Sequence, residues 1–303
     1  MIKQTSTHLF FVLIMLALTT LGGMIYSCTK GESEANTNTN TDKKEWIDLF
    51  NGKNLDGWDL KIRGYALNDN YNNTFRVENG LMKVRYDQYS EYQNKFGHIF
   101  YNKPYGYYHL KVEYRFVGEQ VNGGEGWALR NNGIMFHSQS AKSMGLEQDF
   151  PISIEYQLLG GNGEDERTTA NLCTPGTNVV MGDSLVTQHC ISSSSKTYHG
   201  DQWVTAEVLV LGDSLVQHII DDEVVLEYTK PQIGGGTVSG HDPEVKQDGK
   251  LLNEGYIALQ SESHPIDVRS VRLLNLEGCM DESAVNYKSY YVKHNEETCA
   301  YNN

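Results

Sequence analysis

The sequence predicts an all-β fold, a sandwich of two antiparallel sheets packed face to face, and three observations carry that expectation. Period-two alternation of apolar and polar residues dominates from Trp46 to about Leu276. No long window keeps an apolar stripe of helical period, and strand–loop–strand recurs without an intervening helix, so sheet must pack on sheet. The composition agrees, because 19 tyrosines against only 6 prolines in 303 residues suit pleated, half-buried surfaces.

The elements follow in order. Lys3 precedes ten unbroken apolar residues, Leu9 to Leu18. That run is too short for a mature membrane span and suits the core of a signal peptide over residues 1–27. Ile25-Tyr26-Ser27-Cys28 resembles a bacterial lipobox, so Cys28 is the expected lipidation site, with the chain anchored in the cell envelope, periplasmic or surface-facing. Residues 28–45 include KGESEANTNTNTDKK, which has nothing apolar beyond Ala35 and reads as a flexible tether.

Order is expected from Trp46, with the sandwich occupying 46–276. In YYHLKVEYRFV the residues Tyr108, Leu110, Val112, Tyr114 and Phe116 share one face, and His109, Lys111, Glu113 and Arg115 share the other. Trp203 to Val210 reads as a strand, and SLVQHIIDDEVVLEY as a hairpin turning at Asp221-Asp222. GYIALQ and DVRSVRLL supply late strands. Gly161 to Gly200 and Pro231 to Lys250 read as long irregular inserts.

Setting Cys28 aside leaves Cys173, Cys190, Cys279 and Cys299. Four cysteines permit three pairings, and chain proximity favours 173–190 and 279–299. Each bridge would close a loop of roughly 20 residues, worth about 3 kcal/mol on loop-closure entropy. The second would staple residues 277–303 into a small module. That segment is similar to short GC-x-D-x-x-A-x-N-Y appendages of bacterial surface proteins, matched by Gly278, Cys279, Asp281, Ala284, Asn286, Tyr287 and the closing Cys299-Ala300-Tyr301.

A formal net charge of -14 repels phosphate backbones, and no polybasic stretch serves anionic lipid, so nucleic acid is excluded as a partner. The chain also lacks the serine-nucleophile elbow, the zinc-protease helix motif and the phosphate- and dinucleotide-binding glycine loops. What stands out is polar residues inside strand-like runs. NNGIMFHS places Ile134 and Phe136 on one face, Met135 and His137 on the other, and ISIEYQLLGG opposes Glu155 and Gln157 to Ile154 and Tyr156. Gln260 ends the alternation of YIALQ, and Gly97-His98-Ile99 brings a further histidine. A wet sheet face would account for all of these; a loop-roofed one would make them a site.

WIDLFNGKNLDGW, TFRVENGL, YHLKVEYRF, NNGIMFHS, ISIEYQLLGG, Asp201-Gln202-Trp203 and GYIALQSESHPIDVRSVRLL occur in that order. The series resembles the 3-keto-disaccharide hydrolase family, formerly domain of unknown function 1080, over roughly Trp46 to Leu276. The resemblance implies a concanavalin A-like jelly-roll sandwich and cleavage of glycosides already oxidised at C3 by a separate oxidoreductase. It implies Glu155 as base or metal ligand and His137 as base or acid. Gln157, Gln260 and Asn132 would orient sugar hydroxyls, and Arg130 joins the substrate-binding set. The resemblance fixes no cofactor, and a divalent cation held by Glu155 and His137 would polarise the ketone. His137 stands where relatives carry arginine, and Leu159-Gly160-Gly161 lacks an acidic residue common after the glutamate strand. The alternative is a non-catalytic carbohydrate-binding lipoprotein on the same scaffold.

Overall fold

The structure, a computed structural model, describes residues 43–302. The proposed signal peptide, the lipidation site Cys28 and most of the tether lie outside these residues. No helix among the described residues is long and apolar enough to cross a membrane.

The strands, in chain order, are β1 (Trp46–Asp48), β2 (Trp58–Ile62), β3 (Phe75–Glu78), β4 (Leu81–Val84), β5 (Gly97–Tyr105) and β6 (Tyr107–Phe116). Next come β7 (Asn131–Ser138), β8 (Ile154–Leu159), β9 (Asn171–Cys173), β10 (Thr177–Met181), β11 (Ser184–Val186) and β12 (Cys190–Ile191). The series closes with β13 (Val204–Leu211), β14 (Leu215–Ile220), β15 (Glu223–Ile233), β16 (Gly255–Ser261), β17 (Ile266–Asn275), β18 (Glu277–Gly278) and β19 (Lys293–His294).

A ten-stranded antiparallel sheet runs β11-β10-β15-β14-β13-β6-β17-β4-β3, with β1 also on β17. A seven-stranded antiparallel sheet runs β12-β9-β8-β7-β16-β5-β2 and faces it. These are the two antiparallel sheets expected from the alternation, arranged as the concanavalin A-like sandwich that the family resemblance implies. The inward residues of β6 meet Ile134, Phe136, Ile154, Tyr156 and Leu158 of the second sheet in one continuous core. The β14–β15 hairpin turns at Asp221 and Asp222, both with positive φ (51° and 63°), the backbone that matches strand twist in a two-residue turn.

Two features depart from the sequence reading. Segment 161–200 is not wholly irregular: β9 and β12 extend the seven-stranded sheet, and β10 and β11 extend the other. The disulfide Cys173–Cys190 joins neighbouring β9 and β12 rather than stapling a loose loop. Strand β7 is also buried on both faces. One face enters the core, and on the other Met135 packs with Phe100, Ala141, Met144 and Ala258 under loops. The outer face of the seven-stranded sheet is therefore roofed around β7, and Glu155, His98 and Gln260 there are buried.

Residues 277–302 form a β18–β19 pair closed by Cys279–Cys299. Asn286 donates to the Thr298 carbonyl and accepts from the Ala300 amide, and the Tyr301 hydroxyl donates to Asp281. The motif residues of this segment thus brace one another.

Candidate active site

The roofed face of the seven-stranded sheet holds a cavity of about 350 Å³. On β8, Ile154, Tyr156 and Leu158 fill the core, so strand periodicity sends Glu155 and Gln157 to the opposite side. With Asn131, Cys173 and Glu262 they form the polar floor, while Trp127, Phe150, Pro175, His189 and Thr237 form the walls. Cross-strand register explains the gathering. Lys61, His98 and Gln260 align across β2, β5 and β16, and Gly133, Gln157 and Asn171 align across β7, β8 and β9. The adjacent row is Met135, Glu155, Cys173 and Cys190.

Gly133 makes room at the centre. A Cβ there would stand 2.7 Å from Glu155 Cγ and 2.8 Å from Gln260 Oε1, inside the distances real Cβ atoms tolerate. The absent side chain lets the carboxylate and the amide lie down on the strand.

Gln157 is fixed, its Oε1 accepting from Asn171 Nδ2 at 2.9 Å. Its neighbours are not satisfied within the protein. Both amide atoms of Gln260, both ring nitrogens of His98, Glu262 Oε2 and Asn131 Oδ1 are buried without a hydrogen-bond partner. Glu262 and Asn131 line the cavity, and Gln260 and His98 pair on the neighbouring strands β16 and β5. Folded proteins leave few such atoms, and a cluster of them at a cavity is the pattern of a site completed by a polar ligand. A sugar, with donors and acceptors around its ring, has the matching chemistry.

The electrostatics are those of buried acids. Desolvation raises the Glu155 carboxyl from 4.5 to about 8. Glu262 is driven well above the usual carboxylate range, first by burial and then by the charge of Glu155. Burial lowers His98 to about 3, leaving a neutral imidazole at any working pH. At the rim, half-exposed Trp127 stacks on Phe96 at 6.2 Å and 18°, and Phe150 packs on Phe96 at 4.8 Å. The exposed indole face suits a pyranose or aglycone.

Glu155 and Gln157 therefore line one cavity with Glu262 and Asn131, and the Gln260 amide lies beside Glu155 over Gly133. Asn132 does not face it: its Nδ2 donates to the Gln260 carbonyl (2.8 Å) and its Oδ1 accepts from the Gly133 amide (3.0 Å), so it aligns β16 with β7. Arg130 leaves the strand at φ 45° and binds the Gly200 carbonyl (3.0 Å) and Asp201 (2.9 Å), tying down a loop. The pairing of His137 with Glu155, as base and acid or as metal ligands, is corrected. Alternation from Met135 would place both on one face, but His137 has φ 47°, and this left-handed backbone breaks the alternation. Its Nε2 lies 3.1 Å from the Gly212 carbonyl of the β13–β14 hairpin, in the opposite sheet.

A metal fares no better elsewhere on this floor. Cys173, His189 and Cys190 bring ligand atoms within 4.8 Å of one another, a cluster able in principle to coordinate a cation. The two sulfurs are bonded to each other, however, and a disulfide lacks the thiolate charge that makes cysteine a metal ligand. While that bridge is closed the cluster offers the His189 nitrogen and two weakly ligating sulfurs.

Glu262, Asn131 and Trp127 line the cavity without having been singled out in the sequence. Glu262 continues the alternation Tyr256, Ala258, Gln260 by two more residues and was legible in YIALQSES. His98, singled out as a strand histidine, proves to be the cross-strand neighbour of Gln260. Trp127 sits in a short turn after a glycine-rich loop, where no periodicity operates.

A search of curated proteins returns no match. Among solved structures the chain is similar to two Parabacteroides distasonis proteins described as glycosyl hydrolases. One is 19% identical, covering 76% of this chain and 94% of that one, with a TM-score of 0.46. The other is 15% identical, covering 77% and 100%, also with a TM-score of 0.46. A Bacillus subtilis carbohydrate-binding module is 11% identical, covering 71% and 94%, with a TM-score of 0.39. The family model for the 3-keto-alpha-glucoside-1,2-lyase-like domain matches residues 45–274, nearly the whole sandwich. The chain belongs to that family, and the glycoside-cleaving activity expected of its sandwich comes with the membership.

Proposed function

We propose that this protein cleaves the glycosidic bond of a sugar carrying a ketone at C3, by proton abstraction at C2, elimination of the aglycone and hydration of the product. The observation that supports it best is Glu155: a buried carboxyl raised to about 8 over a floor of unpartnered polar atoms. Unactivated sugar C–H bonds are far beyond a carboxylate, but a C3 ketone acidifies the C2 hydrogen enough for a base of near-neutral strength. Desolvation strengthens Glu155 as that base without moving it from the sheet.

In this reading Glu155 takes the C2 proton, and the electron pair passes to the C3 oxygen as enolate. Gln260 Nε2 and neutral His98 are donors without partners of their own, and they would face the sugar oxygens on the floor. Gln157 and Asn131 would hold hydroxyls, and Trp127 would stack on the ring or the aglycone. The catalytic domain would be residues 46–276, with 277–303 as an appended module. Lipidation at Cys28 would place it in the cell envelope, beside an oxidoreductase that supplies the 3-keto substrate.

Purified protein should release aglycone from a 3-keto-glucoside and leave the unoxidised glucoside intact, and Glu155→Gln should abolish release while the protein stays folded. Glu262 on the same floor favours a second reading, direct hydrolysis by two carboxylates. Turnover of the unoxidised glucoside would establish that reading instead. Tight binding of keto-glycosides with no turnover would reduce the protein to a carbohydrate-binding module.

A further inference from the structure

Elimination needs a second proton transfer. When the C1–O bond breaks, its electron pair stays on the aglycone oxygen, and an alkoxide leaving group requires an acid beside it. Among the described residues, one carboxyl besides Glu155 lines the cavity floor, that of Glu262.

The position of Glu262 is built rather than incidental. It directly follows β16, where the flanking backbone is clamped from both sides. Tyr92 donates to the Ser261 carbonyl at 3.2 Å, and Tyr86 accepts from the Ser263 amide at 2.9 Å. Ser263 is held at φ 86°, a conformation non-glycine residues adopt only when their surroundings impose it, and its carbonyl accepts from Val121. Glu262 is 3% exposed, and its Oε2 has no partner in the protein. Among the described residues no cationic side chain pairs with it. A buried, unpaired carboxyl is costly unless it is protonated, and a protonated one is a donor.

We propose that Glu262 is the general acid that protonates the departing glycosidic oxygen, with Glu155 as the base on the same floor; this rests on the reading of the site given above. The proton ledger closes. Glu155 takes the C2 proton, the enolate re-forms the C3 ketone, a C1=C2 double bond appears, and the C1–O bond breaks. The aglycone oxygen takes the Glu262 proton and leaves as an alcohol. Water then adds across C1=C2: Glu262, now carboxylate, accepts the proton of the water attacking C1, and Glu155 returns its proton to C2. Both carboxyls end as they began, with no redox partner required.

The test separates the two proton transfers. Wild type, Glu155→Gln and Glu262→Gln are incubated in D2O with methyl and p-nitrophenyl 3-keto-glucosides, following C2 deuteration by NMR and aglycone release. Glu262→Gln should still exchange the C2 proton. Its methanol release should fall by about 100-fold or more, the usual loss of a general acid. Release of p-nitrophenol, which leaves without help, should fall less than tenfold. Glu155→Gln should lose exchange and release together. Equal losses on both substrates, loss of exchange in Glu262→Gln, or wild-type rates in that variant would each overturn the assignment. Should Glu262→Gln melt below assay temperature, Glu262→Asp keeps a shorter carboxyl and should show the same leaving-group dependence to a smaller degree; equal losses there also overturn it. Wild type that neither exchanges nor cleaves would instead sink the 3-keto reading beneath it.

Discussion

Glu155 lies across Gly133, its Cγ 2.7 Å from where a side chain at residue 133 would begin. The two are diagonal neighbours on adjacent strands, Gly133 being paired with Gln157 and Glu155 with Met135, and Gln260 Oε1 lies over the same glycine from the third. Gly133→Ala should therefore lift the carboxylate and the amide off the floor. The displaced atoms are side-chain atoms, so the fold should survive with a loss of about 1–3 kcal/mol, the usual range for overpacking. Turnover should fall at least tenfold, because catalytic groups tolerate little misplacement. Parallel thermal melts and initial rates check this, and near-normal turnover would mean that Glu155 works from another position.

The same carboxyl should make stability depend on pH in an unusual direction. Burial raises Glu155 from 4.5 to about 8, so the folded state binds that proton more tightly than the unfolded chain. Its stabilising contribution is complete below about pH 4.5 and is lost as pH climbs towards 8. Glu262, raised by burial and by Glu155, acts with the same sign, whereas burial lowers the pKa of the His189 imidazole in the wall, which acts in the opposite sense. Glu155→Gln carries no proton to lose. It should match wild type near pH 4 and exceed it at pH 8 by about 3–5 kcal/mol, the raised value taken at about 1.4 kcal/mol per unit. Melting temperatures across that range measure the gap, and a constant difference would show that Glu155 is solvated.

Much of this was legible before any coordinates. Alternation fixed the faces of β6 and β8 correctly, because a strand's side chains cannot avoid period two. It put Glu155 and Gln157 together, and it would have reached Glu262 had the strand been followed two residues further. It failed at His137, where one residue at φ 47° breaks the alternation, and local sequence carries no mark of that turn. Nor could it show that loops roof the outer face of β7, since roofing depends on segments more than a hundred residues apart, such as Trp127 and Thr237. Asn132 was read as a sugar ligand for want of its partner; only the register with β16 shows its amide spent on the Gln260 carbonyl.

Trp127 should act in binding rather than chemistry. Its indole lines the cavity, is 52% exposed, and is braced on its far side by Phe96. Trp127→Ala removes a stacking surface worth about 1–2 kcal/mol to a ring that rests on it. KM should rise about tenfold with kcat little changed, since the floor is untouched. A fall in kcat at constant KM would place the indole nearer the reacting atoms than its rim position allows.

The two disulfides should separate stability from activity. Cys173 is the direct cross-strand neighbour of Glu155, and its bridge to Cys190 ties the outermost strand to the cavity floor. Cys279–Cys299 closes the terminal segment, where Asp281, Asn286 and Tyr301 add their own cross-bracing. Each bridge removes about 3 kcal/mol of loop-closure entropy from the unfolded chain. Replacing either pair by serines should therefore lower the melting temperature. Only Cys173→Ser with Cys190→Ser should also reduce kcat/KM, because the bridge pins the two-residue edge strand β12 beside Glu155, and without it only the pairing with β9 and the two Thr174 bonds to the His189 carbonyl hold that wall. Equal losses of kcat/KM from both double variants would mean that the terminal segment reaches the site, and an unchanged kcat/KM in both would mean that β9 keeps Glu155 in place unaided.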